Sequence, residues 1–318
     1  MPLTRFRPRL PTSPPFQRRA RRFARRVAAV GENSLYALDR VGISPVRLLD
    51  RASKAREPRN VVRQRAHGVA YGAHPRQRLD VYVPVKRGTV PLPIVVFFYG
   101  GGWVRGHRSE FGFVGRALAA RGYLTVMPDY RLAPEHRFPA YLEDGALALR
   151  WAVEHAAELG GDAERIAVAG HSAGGHLAGL LALDGRYVEA AGLAGDAIKA
   201  AAMISAPTNF LPFVDPRAIA ALGNHEPPHE TQPYHFARGD APPLLLQHGT
   251  ADVIVRARNA QQLHRKIEAA GGRSELKLYR HASHSDPVKA FSPMFGGLPV
   301  LDDLQAFLDS ALGLHDGP

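Results

Sequence analysis

The chain has 318 residues, 45% of them hydrophobic, with 41 Lys or Arg against 29 Asp or Glu, a formal net charge of +12 and no cysteine. The absence of cysteine excludes disulfides, thiol catalysis and thiolate metal sites. Its apolar runs stop well short of the roughly twenty residues a membrane helix needs, and its length suits one α/β domain of about 250 residues behind an N-terminal extension.

The charge is unevenly placed. Residues 1–65 hold 17 Lys or Arg against 4 Asp or Glu, whereas the remaining residues hold 24 against 25. Nearly all of the surplus therefore belongs to the extension, and residues 66–318 are close to neutral. Within the extension, Arg18, Arg19, Arg21, Arg22, Arg25 and Arg26 surround Phe23, Val27 and Val30 at helical spacing, which predicts a basic amphipathic helix. The favoured reading is a helix with a solvated arginine face that packs beside the following domain as a cap, after a disordered Pro/Arg-rich start. Peripheral contact with an anionic membrane surface is the alternative, and no specific nucleic-acid partner is expected. A cleaved secretion signal is not expected, because the uncharged stretch after Arg26 soon meets Glu32 and Asp39. The expected location is cytoplasmic.

Residues 51–65, charged and containing Pro58, read as a linker. Residues 67–72 and 78–83 then begin an antiparallel strand pair, and alternating βα units follow. Residues 92–98, Leu-Pro-Ile-Val-Val-Phe-Phe, read as a buried parallel strand that ends in Tyr99-Gly100-Gly101-Gly102-Trp103. Such a glycine loop exposes bare backbone amides suited to an oxyanion. Further on, Pro134 and Pro139 separate a strand end from a helix beginning near Ala140. Arg131, Glu135 and Asp144 in that stretch are expected to form buried paired charges that fix the loop beneath the site.

Residues 165–169 are a short apolar strand leading into Gly170-His171-Ser172-Ala173-Gly174, and residues 175–183 are an apolar helix. This is the pattern of a nucleophile elbow, in which a serine sits on a tight strand-to-helix turn between glycines. An insertion near 208–238, loop-like and proline-containing, is expected to cover the site. Inside it, His225-Glu226-Pro227-Pro228-His229 formally matches a zinc-protease pattern. Two consecutive prolines cannot continue the helix that a zinc site requires, so no metal is expected.

Residues 242–252 read as another buried strand ending in a loop that carries Asp252, the candidate acid. Asp240 and Asp286 compete with it, but Asp240 precedes the strand and Asp286 adjoins the histidine. Residues 274–279 alternate as a strand and lead to His281 and His284. His284 is preferred as the base because Ser285-Asp286-Pro287 reads as a helix start, which puts His284 at the end of the loop. The order serine, acid, histidine is that of α/β-hydrolases, and all three lie at carboxyl ends of predicted strands. A last helix is expected around 301–312, stopped by Gly313.

Four segments now carry a resemblance: Tyr99-Gly100-Gly101-Gly102-Trp103, residues 129–136, Gly170-His171-Ser172-Ala173-Gly174-Gly175 and His284-Ser285-Asp286-Pro287. Over roughly residues 66–315 the chain resembles the hormone-sensitive-lipase-like esterases and the related bacterial feruloyl-esterase-like group of α/β-hydrolases. Many members carry His where this chain has Tyr99 and Asp where it has His171, and both departures point toward the second group. The resemblance implies an α/β-hydrolase fold, a mostly parallel sheet flanked by helices, with an N-terminal helical extension or cap.

It also implies a serine carboxylesterase that needs no cofactor and acts on small or medium acyl esters. Ser172 would be the nucleophile, His284 the base and Asp252 the acid, and the amides of Gly101, Gly102 and Ala173 would hold the oxyanion. The alternative is a deacetylase or feruloyl esterase acting on carbohydrate-linked acyl groups. A catalytically silent ligand receptor on the same fold is the reading from another class.

Overall fold

The computed structural model describes residues 44–314 except 59 and 87. Eight strands, β1 Val62–Ala70, β2 Arg78–Pro84, β3 Leu92–Phe98, β4 Leu124–Pro128, β5 Gly161–His171, β6 Ala200–Ile204, β7 Leu244–Gly249 and β8 Ser274–Tyr279, form one sheet. The helices among the described residues are α1 Pro45–Arg56, α2 Gly112–Ala120, α3 Ala140–Glu154, α4 Ala156–Leu159, α5 Ala173–Leu183, α6 Arg186–Ala190, α7 Pro216–Leu222, α8 Arg258–Ala269, α9 Asp286–Lys289 and α10 Val300–Ala311.

The spatial order is β1-β2-β4-β3-β5-β6-β7-β8. Contacts of β2 with β1 and β4 are antiparallel, and every other neighbouring pair is parallel. The alternating βα order dictates this, because a strand followed by a helix returns parallel to its predecessor. Strands β4, β6 and β7 are buried along their whole length, as continuous apolar runs covered on both faces must be. Edge strand β8 is instead half-buried or exposed along most of its length, with Tyr279 its buried residue.

Two expectations need correction. Residues 51–65 are not a linker, because α1 runs through Arg56 and β1 already begins at Val62. The compact unit that holds the sheet starts at Ser44, not at residue 66. Helix α1 is a surface helix with Ser44 as its N-cap, whose side chain accepts from the Arg47 amide at 3.2 Å. Polar ties hold it: Ser53 and Ser292 hydroxyls lie 2.6 Å apart, and Arg116 pairs with Asp50 at 2.9 Å and with Glu57. The amphipathic helix expected at 18–30, and with it the cap reading, lies outside the described residues. No helix among the described residues is long and apolar enough to cross a membrane.

The second correction concerns the charges at the start of α3. Asp144 is fully buried and accepts from the Arg131 amide at 2.6 Å, from Arg131 Nε at 2.8 Å and from Gln77 Nε2 at 2.7 Å. Glu135 is exposed and takes no part, and Glu143 is the second acid on Arg131, at 2.9 Å. Helical spacing explains the exchange: Glu143 lies in the first turn of α3 beside Asp144, whereas Glu135 precedes the helix altogether.

Candidate active site

The carboxyl ends of β3, β5, β7 and β8 face one edge of the sheet, and each delivers one part of the site. Strand β5 turns sharply into α5 at Ser172, which adopts φ 54° and ψ −120°, a conformation strained for a residue with a Cβ. Both flanking glycines are required by contact. A Cβ on Gly174 would stand 2.1 Å from the Phe98 carbonyl oxygen, and one on Gly170 would stand 2.3 Å from the Gly174 carbonyl oxygen. The Ser172 amide donates to the Ile204 carbonyl at 2.8 Å, which ties the turn to β6.

His284, in the loop after β8, is buried and places Nε2 2.9 Å from Ser172 Oγ. Its Nδ1 lies 2.8 Å from Asp252 Oδ2. Asp252 follows β7, and its other oxygen accepts from the amides of Ile254 and Val255 at 2.9 and 2.8 Å. Burial acts to raise the Asp252 pKa, but the nearby His284 charge and the hydrogen bonds from His248 and His284 outweigh it and hold the carboxyl well below its usual range. The chain thus presents a hydroxyl, an imidazole and an ionised carboxylate in hydrogen-bonded sequence.

The rival candidates are elsewhere engaged. His281 is exposed, and its backbone amide donates to Thr250 Oγ1 at 2.9 Å. Asp240 pairs with Arg238 at 2.9 Å, and Asp286 opens α9 while accepting from the Ser283 amide at 2.7 Å. His225 pairs with Glu230 at 3.1 Å, whereas His229 lies beside His235 with ring centres 4.2 Å apart and planes inclined by 47°. Among the described residues no group of three or more His, Cys, Asp or Glu could hold a metal ion.

Gly101 and Gly102 follow β3 with φ of 153° and 62°, and Ala173 is the first residue of α5. Tyr99 anchors the start of the loop: its hydroxyl donates to Asp129 Oδ1 at 2.9 Å and accepts from Arg76 Nη2 at 2.8 Å. The insertion covers the loop at two points. Phe210 stacks on Trp103 with ring centres 6.1 Å apart, and a Cβ on Gly102 would come 2.9 Å from Arg217 Cδ of α7.

Two further histidines contact these groups: His248, outside every motif, and His171, a variable position of the elbow motif to which the sequence assigned no role. His248, wholly buried, brings Nε2 to 3.1 Å from Asp252 Oδ2 and 2.8 Å from the Val255 carbonyl. His171 donates from Nε2 to the His284 carbonyl at 3.2 Å and so fixes the loop that carries His284. Burial, then the His284 charge, lowers its pKa to about 3, which keeps it neutral at neutral pH. Its position directly before the serine was the one available signal.

The BD-FAE family model matches residues 79–267. Esterase LipC of Mycobacterium tuberculosis is 34% identical over 219 residues, 63% of this chain and 54% of LipC. Carboxylesterase NlhH of the same organism is 52% identical over 100 residues, 31% of each chain. The match thus spans about half the length of the first of these relatives and a third of the second. The thermophilic carboxylesterase EstE1, from a metagenomic library, superposes with a TM-score of 0.68 at 25% identity, over 84% of this chain and 95% of that one.

Proposed function

Since this chain belongs to the BD-FAE family, we propose that it is a serine carboxylesterase that hydrolyses small or medium acyl esters through Ser172, His284 and Asp252. The 2.9 Å approach of His284 Nε2 to Ser172 Oγ, with Asp252 on the opposite ring nitrogen, carries the reading. Similarity to relatives named esterases adds to it.

In this mechanism the Ser172 oxygen bonds to the ester carbonyl carbon as its proton passes to His284 Nε2. The carbonyl π electrons move onto oxygen, where the amides of Gly101, Gly102 and Ala173 stabilise the negative charge. As the tetrahedral intermediate collapses, the C–O bond to the alcohol breaks and His284 returns the proton to the departing oxygen. A water then attacks the acyl-serine by the same route, with its proton taken up by His284 and delivered to Ser172. Asp252 stays ionised throughout and offsets the imidazolium charge.

Turnover of p-nitrophenyl esters by the full chain and its Ser172→Ala variant tests the reading. Removal of a triad nucleophile lowers kcat by roughly 10⁴- to 10⁶-fold. A soluble variant that keeps more than about a tenth of the parental rate would remove Ser172 from the mechanism. Adding acetylated sugars to the panel separates simple alkyl esters from carbohydrate-linked acyl groups. Attachment of the basic N-terminus to anionic vesicles is a separate proposal: it predicts binding that fades as salt shortens the electrostatic reach to about 10 Å near 0.1 M.

A further inference from the structure

Three buried side chains beside the glycine loop carry polar atoms that find no partner among the described residues: Trp103 Nε1, Tyr141 Oη and His176 Nδ1. They arrive from three parts of the fold. Trp103 follows Gly102, Tyr141 lies in the first turn of α3, and His176 lies one turn beyond Ser172 on α5. Their rings are mutual neighbours, with centres 5.1 Å apart for Trp103 and His176, 6.2 Å for Tyr141 and His176, and 6.4 Å for Trp103 and Tyr141. Exposures of 5%, 1% and 0% leave none of the three to bulk solvent. Buried polar atoms are bonded in the great majority of cases, so three on neighbouring rings call for a partner.

The chemistry of that partner follows from the donors and acceptors present. His176 Nε2 lies 2.7 Å from the Thr231 carbonyl, which only accepts, so Nε2 carries the hydrogen. Burial lowers the pKa of this ring to about 4, and the neutral ring leaves Nδ1 as a bare acceptor. The Trp103 indole only donates, and the Tyr141 hydroxyl does either. A carbonyl or carboxylate would leave His176 Nδ1 without a donor, and an ammonium would leave Trp103 without an acceptor. A hydroxyl serves all three atoms: it accepts from Trp103, donates to His176 and meets Tyr141 with its second lone pair. Phe210 of the insertion stacks on Trp103 and packs edge-on against His176 at 5.8 Å, so the cluster lies between the oxyanion loop, α5 and the segment that covers them.

We propose that Trp103, Tyr141 and His176 form a hydroxyl-binding subsite, and that the preferred ester carries a hydroxyl on its acyl or its alcohol part. This rests on the esterase reading above. The test compares kcat/KM of the full-length protein within two pairs: p-nitrophenyl 3-hydroxybutyrate against p-nitrophenyl butyrate, and glycerol monobutyrate against propyl butyrate. A site that hydrogen-bonds a substrate hydroxyl discriminates against the analogue lacking it, so one pair should differ by about tenfold or more. Tyr141→Phe, which deletes only the hydroxyl, and Trp103→Phe should each bring that ratio toward one.

Ratios near one in both pairs for the parent chain, or a preference that both variants keep, overturn the subsite while leaving the esterase reading in place. In that outcome the three atoms hold an ordered water only. If no ester is turned over, the esterase reading falls, and calorimetric titration of Ser172→Ala decides the subsite alone. Tighter binding of ethyl 3-hydroxybutyrate than of ethyl butyrate supports it, and equal affinities overturn it.

Discussion

His248 Nε2 lies 3.1 Å from Asp252 Oδ2, the same oxygen that faces His284 Nδ1 at 2.8 Å. With the Ile254 and Val255 amides on Oδ1, the carboxylate is surrounded by four nitrogen donors, and its orientation toward His284 is set by all of them. A hydrogen bond to a charged group is worth about 1.5–3 kcal/mol, and each 1.36 kcal/mol in a barrier is about tenfold in rate. His248→Ala should therefore lower kcat by about 10- to 100-fold with KM changed by less than about threefold, and His248→Gln, which keeps a donor, should recover part of the loss. Steady-state kinetics that place the defect in KM alone would show that His248 does not position the carboxylate.

The two loop histidines should separate cleanly. His284→Ala removes the group 2.9 Å from Ser172 Oγ and should cost nearly as much as loss of the serine, whereas exposed His281 is tied to the fold through its backbone amide. We expect His281→Ala to keep most of the parental turnover. Reversed outcomes in a p-nitrophenyl acetate assay would transfer the role of base to His281.

Stability should fall as the solution is acidified below about pH 6.5, well before carboxylates titrate. His171 and His176 are held neutral by burial, with folded pKa values of about 3 and about 4. In the unfolded chain both take up a proton near the ordinary histidine pKa of about 6.5, so below that pH protons favour the unfolded state. The slope is up to about 1.4 kcal/mol per pH unit for each histidine. Asp252, whose folded pKa is depressed, acts in a lower window: its contribution is present above about pH 4 and is lost as pH falls further. Denaturant melts at pH 7, 6 and 5 check this, and equal stabilities at the three values would contradict the buried neutral histidines.

Asp144 and Glu135 should behave as opposites although both were candidates for the same charge cluster. Asp144→Ala would strip three donors of their acceptor inside the fold, among them the Arg131 guanidinium, and breaking a buried ion pair costs about 3–5 kcal/mol. Exposed Glu135→Ala should stay within about 0.5 kcal/mol of the parent. Thermal melts of the two variants decide between them.

The elements legible in the sequence are those whose cause is local. The run 92–98 is a strand because β-branched and aromatic residues follow one another without a break, and it is β3 with the same limits. The alternation of 274–279 marks β8 at the edge of the sheet, and Gly313, at φ 65°, follows α10 where the last helix was expected to stop. The elbow is legible for the same reason: glycine at 170 and 174 answers a clash between atoms a few residues apart or on the adjoining strand.

Helix α1 was not legible. Of its larger apolar residues Val46 and Leu49 are half-buried and Leu48 is exposed, and its attachment rests on Ser53 with Ser292 and on Asp50 with Arg116, partners 239 and 66 positions away. Polar contacts at such separations leave no periodicity in the chain.

By itself the sequence determined the α/β alternation, the turn that presents Ser172, the glycine loop after β3 and the order of serine, acid and histidine, since propensity, turn chemistry and buried-strand patterning act over a few residues. Tertiary structure decided which of two histidines meets the serine across 112 positions, that His248 shares the Asp252 oxygen, that Glu143 and not Glu135 pairs with Arg131, and that Trp103, Tyr141 and His176 come together. Those choices depend on distances of a few ångströms between groups brought together only when the sheet is assembled, and hydrogen bonding is lost over such distances.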